Sequence, residues 1–156
     1  MRMFKNTIFI ALLLFLISCG YEAKYSKKNI IKESNFSIGE VNYSGDREVN
    51  IKIKEKLNSF TLIKKERHFT IDINSIVLKT TIVKDAKGNP SAFNLNIKSL
   101  IQLRGGNIDD SKILLIENFK YDNNQDKFEV KRYEREIKQN LAEKISDDLI
   151  DKLLRY

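Results

Sequence analysis

The sequence predicts a two-layer α+β sandwich: a four-stranded, mainly antiparallel sheet with two helices on one face, in the order strand, helix, strand, strand, strand, helix. Three observations point there. Two segments carry apolar residues at three- and four-residue spacing, the pattern of amphipathic helices. Most of the remainder alternates apolar and polar residues in period two, as half-buried strands do. Short turns separate the last three period-two runs, so those strands are expected to form an antiparallel meander.

Phe36, Ile38 and Val41 to Tyr43 read as the first strand, ended by Ser44-Gly45. Asp46 is placed to cap a helix in which Val49, Ile53, Leu57 and Phe60 form one stripe, with Lys52, Lys54, Glu55 and Lys56 turned to water. In the next strand Phe69, Ile71 and Ile73 alternate, and the apolar phase then moves at Asn74-Ser75 to Ile76, Leu78 and Ile82. A bulge at that point would account for the move. The run Asp85-Ala86-Lys87-Gly88-Asn89-Pro90 is a turn. Phe93, Leu95, Ile97, Ile101 and Leu103 share one face of the third strand, and Arg104-Gly105-Gly106-Asn107 turns the chain again. Ile113, Leu115, Phe119 and Tyr121 share the inward phase of the fourth strand. Tyr133, Ile137, Leu141, Ile145, Leu149 and Leu153 then recur every four residues along a closing helix. On this reading the two helical stripes use up the sheet's apolar phase.

The N-terminus has the parts of a secretory signal peptide over residues 1–18. Arg2 and Lys5 form a basic start, and Ile8 to Ile17 is an uncharged apolar run. That run is shorter than the roughly 20 residues a membrane-spanning helix needs. Leu16-Ile17-Ser18-Cys19 follows, a lipobox in which Cys19 is the chain's single cysteine. A thiol at the cut accepts diacylglycerol through a thioether, and cleavage frees its amine for a further acyl chain, palmitate or similar. Two or more chains are needed for stable anchoring. Gly20 in place of Asp favours the outer membrane of a Gram-negative cell, on its periplasmic side. Residues 19–35, polar and carrying Lys24, Lys27, Lys28 and Lys32, are expected to be a lipidated tether, with one domain over 36–156.

With the cysteine assigned to lipid, no disulfide and no cysteine-based metal site remain. Loss of Arg2 and Lys5 with the signal takes the formal charge from +7 to +5. In an exported protein that excess suits phosphorylated lipid better than nucleic acid. A lysine-rich base composition would leave the same excess, so charge alone does not choose. Nothing in the sequence supports an enzyme or a bound cofactor. His68 stands alone, and there is no nucleophile elbow or phosphate loop. Asp109-Asp110 has no third ligand and reads as a solvated turn, as does Arg104-Gly105-Gly106-Asn107. The chain reads as a binding or assembly protein.

Topology adds one expectation. In a meander, the turn after the second strand and the exit of the fourth lie at the same end. Lys84 and Lys87 are in the first segment, Lys127 and Lys131 in the second, so four lysines should gather at one tip.

The chain resembles the LPS-assembly lipoprotein LptE family, the small partners of the outer-membrane barrel LptD. The resemblance runs from Cys19-Gly20 to about Leu154. Its carriers are Cys19-Gly20-Tyr21, the helix ending in Leu57-Asn58-Ser59-Phe60, and the Lys84 to Phe93 hairpin. Phe119-Lys120-Tyr121-Asp122-Asn123 and the closing helix with Tyr133-Glu134 and Ile145 to Leu154 complete it. The resemblance implies a non-enzymatic plug and assembly partner of an LptD-like barrel, active in lipopolysaccharide transport and insertion into the outer leaflet. It also implies lipopolysaccharide contact by basic residues in the two segments named above, with Lys84, Lys87, Lys127 and Lys131 the nearest matches. Two other functions fit the residues: a periplasmic lipoprotein carrying a lipid or other amphiphile in a groove, and a small lipoprotein bridging envelope components.

Overall fold

A computed structural model of the chain describes residue 31 and residues 34–61, 64–106 and 108–156. The expected signal peptide, Cys19 and most of the tether lie outside the described residues, and all that follows concerns the unit Ser34–Tyr156.

The element order is β1 (Phe36–Gly45), α1 (Arg47–Thr61), β2 (Arg67–Lys84), β3 (Pro90–Gly105), β4 (Ile108–Asp122) and α2 (Lys127–Arg155). The strands form one sheet in the order β1-β2-β3-β4. β1 pairs with β2 in parallel, as the α1 crossover between them requires, and the other two pairings are antiparallel. This is the architecture expected from the sequence. Among the described residues no helix is long and apolar enough to cross a membrane.

α1 begins where Gly45, at φ 86°, passes so close to Ser75 that a Cβ would lie 2.1 Å from the Ser75 carbonyl oxygen. Asp46 donates its backbone N–H to that same oxygen at 2.7 Å and caps the helix by accepting from Val49 N–H at 3.0 Å. Val49, Ile53, Leu57 and Phe60 are buried as their spacing requires. Phe36 stacks on Phe60 with ring centroids 5.2 Å apart and leans on Phe69 at 5.9 Å, closing the α1 end of the core. In α2 the buried stripe runs from Ile137 through Leu141, Ile145 and Leu149 to Leu153, while Tyr133 is exposed.

The two helices run side by side in the same direction, tied by two polar clamps. Lys138 meets Asp46 and Glu48 at 3.4 and 2.9 Å, and Lys56 meets Glu143 and Asp147 at 2.9 and 2.7 Å. Burial alone would lower both lysine pKa values, but hydrogen bonds and charge from the carboxylates outweigh it and raise them. Lys56 therefore does not face water with its neighbours; it bridges to α2.

Two further expectations need correction. β2 has no bulge at Asn74-Ser75: its register with β3 is continuous from Phe69 to Thr81, and the irregularity falls between Thr81 and Lys84. The apolar phase moves because Ser75 occupies a buried inward position. Its hydroxyl hydrogen-bonds that of its cross-strand partner Ser99 at 2.9 Å, which satisfies both polar groups. Ile76 and Leu78 consequently point to the other face. The helices therefore do not use up the sheet's apolar residues, since the face away from them carries exposed aliphatic side chains of its own.

Ile53 is fully buried between α1 and the sheet. Ile53→Asp should cost about 3–5 kcal/mol, the range for an unpaired buried charge. Lys54→Asp, on the exposed side of the same helix, should stay within about 0.5 kcal/mol. Denaturant unfolding of the two variants checks this, and equal midpoints would contradict the packing.

Candidate functional site

The end of the sheet where β2 and β4 finish is built from the turn upward. Gly88, at φ 84°, supplies a backbone conformation that L side chains rarely adopt. Asp85 closes the turn. Its backbone N–H donates to Asn89 O at 2.8 Å, and its carboxylate accepts from Lys87 N–H at 2.9 Å, Asn89 N–H at 2.8 Å and Asn89 Nδ2 at 3.2 Å. The Asn89 backbone and side-chain bonds hold the Asp85 carboxyl below its ordinary pKa.

The exit of β4 is fastened to this hairpin. Asn123 donates its backbone N–H to Ser91 O at 2.8 Å and its side-chain amide to Pro90 O at 2.8 Å. Asp126 then caps α2, accepting from Phe128 N–H at 2.8 Å and Glu129 N–H at 3.3 Å. Lys84 pairs with Pro90 at the end of β2, Lys87 is in the turn, Lys127 opens α2, and Lys131 lies one turn on along the same helix side. The structure thus brings both basic segments to one end.

All four lysines are exposed, and none makes an ion pair among the described residues. Of the nearby acids, Asp85 serves the turn, Asp126 the cap, and Glu129 pairs with Arg132 at 2.6 Å, while Asp122 at the end of β4 is exposed. Phe128 stands beside Lys127 with 83% of its surface exposed. Such a tip can bind polyanions through several ammonium groups.

Beneath the tip lies a polar and aromatic cluster that the sequence did not single out as a unit. Lys79 pairs with Glu134 at 2.5 Å and sits over the Phe93 ring, 3.8 Å from its centroid. Tyr121 donates to Glu134 at 2.6 Å, and Tyr133 packs edge-on against both Tyr121 and Phe119. Burial, then Glu134, push the Tyr121 hydroxyl pKa up. The sequence reading, with its apolar phase moved to Ile76 and Leu78, turns Lys79 outward and gives no sign of a partner 55 residues away.

The other candidates have structural roles. His68 Nδ1 lies 3.0 Å from the Ser37 hydroxyl, and its ring occupies the space a Cβ on Gly39 would need. Arg104 pairs with Asp72 at 2.7 Å. Gly105 and Gly106, both at positive φ, allow close approach of His68 O and the Phe69 ring, whereas Asn107 lies outside the described residues. Asp110 is exposed, and among the described residues no group of three or more His, Cys, Asp or Glu side chains could hold a metal ion. Three clefts of about 340, 230 and 260 Å³ are lined by polar and apolar side chains together, Arg47 with Ile51, Glu129 with Val130, and Asp72 with Leu100.

No protein-family profile matches the chain, and no curated protein matches its sequence. Its fold, however, is found in bacterial lipoproteins of known structure. Rare lipoprotein B from Shewanella oneidensis aligns with a TM-score of 0.56 at 11% identity, over 75% of this chain and 98% of that one. A putative lipoprotein from Caulobacter crescentus aligns with a TM-score of 0.55 at 11% identity, covering 83% and 92% of the two chains. A minor lipoprotein from Acinetobacter baumannii gives 0.55 at 5% identity, over 78% and 92%. At these identities the likeness is one of fold.

Glu134 yields a pH prediction. Burial pushes its carboxyl up, but hydrogen bonds from Lys79 and Tyr121 outweigh this and hold it below its ordinary value. Stability from a depressed carboxylate is present above the unfolded-state pKa and is lost as pH falls through the folded value. Native stability should therefore decline more steeply below about pH 5 than that of Glu134→Gln. Parallel unfolding profiles from pH 7 to pH 3 would contradict the assignment.

Proposed function

We propose that the chain is a lipoprotein precursor cut before Cys19 and anchored by diacylglycerol and acyl chains to the periplasmic side of a Gram-negative outer membrane. There it serves as plug and assembly partner of an LptD-like barrel and contacts lipopolysaccharide through the basic tip. The observation that carries this reading is the fastening of the β4 exit to the β2–β3 hairpin, which sets Lys84, Lys87, Lys127 and Lys131 at one end. Lipid A phosphates and inner-core acids are polyanions, and clustered ammonium groups would compete with the divalent cations bridging them. The lipobox at Leu16 to Cys19 and a fold shared with bacterial lipoproteins support the location. An amphiphile carrier would need a roomy apolar pocket, and the clefts described above hold only about 230–340 Å³.

Cys19→Ala should give a protein that no longer incorporates radiolabelled palmitate; persistent labelling would contradict the anchor. Changing Lys84, Lys87, Lys127 and Lys131 together to Ser should weaken lipopolysaccharide binding about fourfold or more, taking roughly 0.2–1 kcal/mol per exposed charge contact. Native binding should also weaken with salt, because exposed charges are screened over about 8 Å at physiological ionic strength. Equal affinity of native and four-Lys variant, measured by titration, would remove the tip from the account.

A further inference from the structure

The sheet face turned away from the helices carries a contiguous aliphatic patch. The register sets Asn74, Leu100 and Leu114 in one row across β2, β3 and β4, Ile76, Lys98 and Ile116 in the next, and Leu78, Asn96 and Asn118 in the third. Directly paired residues share a face, and residues two apart on a strand return to it. Ile76, Leu78, Leu100, Leu114 and Ile116 are therefore neighbours on one surface, each between 44% and 57% exposed. Single exposed aliphatic residues are ordinary, but five adjoining ones mark an interaction surface.

The charge around the patch identifies what would cover it. Lys98 stands in its middle row, and Lys112 and Lys120 lie on the same face of β4. All three are exposed and make no ion pair among the described residues. Asp72 is held by Arg104 at 2.7 Å and by Asn42 at 2.9 Å, while Asp110 and Asp122, at the two ends of the same β4 face, are exposed. The surface thus combines aliphatic side chains with unpaired cations. An anionic amphiphile suits it, because a lysine stem can lie along apolar groups while its ammonium reaches a phosphate.

The face is also continuous with the tip. Lys120 pairs with Asn94 and Asn94 with Thr80, and the following positions lead to Lys84 opposite Pro90. From Leu78 to Lys84 the strand covers about 20 Å at roughly 3.3 Å per residue. We propose that this face seats the acyl chains of a phosphorylated, multiply acylated glycolipid whose anionic head is held at the lysine tip. The inference rests on the lipopolysaccharide reading above and extends it to a second, chemically distinct subsite.

The test uses the full chain and three probes: intact lipopolysaccharide, its deacylated form, and phosphatidylglycerol vesicles. Combined Ile76→Ser, Leu114→Ser and Ile116→Ser should lower affinity for intact lipopolysaccharide at least about tenfold. It should leave affinity for the deacylated form unchanged, whereas the four-Lys variant loses affinity for both. In the native protein, lipopolysaccharide spin-labelled on an acyl chain should broaden the methyl resonances of Leu100 and Leu114, a readout that does not depend on the variant folding. Unbroadened methyls would overturn the proposal, as would equal binding of intact lipopolysaccharide by native and triple variant. Vesicle binding or self-association lost in the triple variant while lipopolysaccharide binding is kept would overturn it too, assigning the face to a bilayer or a second copy. Native protein that binds neither lipopolysaccharide form would instead sink the functional reading from which this one starts.

Discussion

Among the described residues four strands are covered by two helices, and both helices lie on one side; the rest of this unit follows from that one-sided cover. A sheet face loses its water only where something packs on it. Here α1 and α2, clamped through Lys56 and Lys138, bury the row of Ile73, Ile101 and Ile113 and leave the opposite row of Leu100 and Leu114 to solvent. The clamps contribute modestly as ion pairs. Their effect is to keep the helices in register, so that both stripes meet the same face.

The cover is also incomplete along the strands. β1 pairs with β2 only as far as Ser75, and α1 leaves the sheet there through Gly45 and Asp46. The outer halves of β2, β3 and β4 are then packed by the start of α2 alone. Lys79, Tyr121, Glu134 and the aromatic rings supply the contacts in place of an aliphatic core. Because that end is narrow and Asp85 and Asp126 are engaged in a turn and a cap, its lysines are left without ion pairs. The charge of the tip and the openness of the far face thus share one cause.

Most of this was legible in the sequence. The stripes of α1 and α2, the three turns and the Asp46 cap follow from local periodicity and turn chemistry, and the end shared by Lys84 and Lys131 follows from meander topology. Three features were not legible, for one reason: they depend on partners distant in sequence. Ser75 looked like a break in phase because its hydrogen-bond partner is Ser99. Lys56 looked solvated because Glu143 and Asp147 are on another helix. Ile76 and Leu78 looked like core because period two cannot say which face the helices leave bare.

In the proposed reading, the one-sided cover yields a compact body with a basic tip and an apolar face, held at a membrane by lipid and seated within a barrel. The measurement that meets this claim most directly is extraction of the native protein from its membrane in mild detergent, followed by quantification of what co-purifies. The account predicts one large β-barrel outer-membrane protein in equal amount. Recovery of the protein alone, or with only non-barrel proteins, would contradict it.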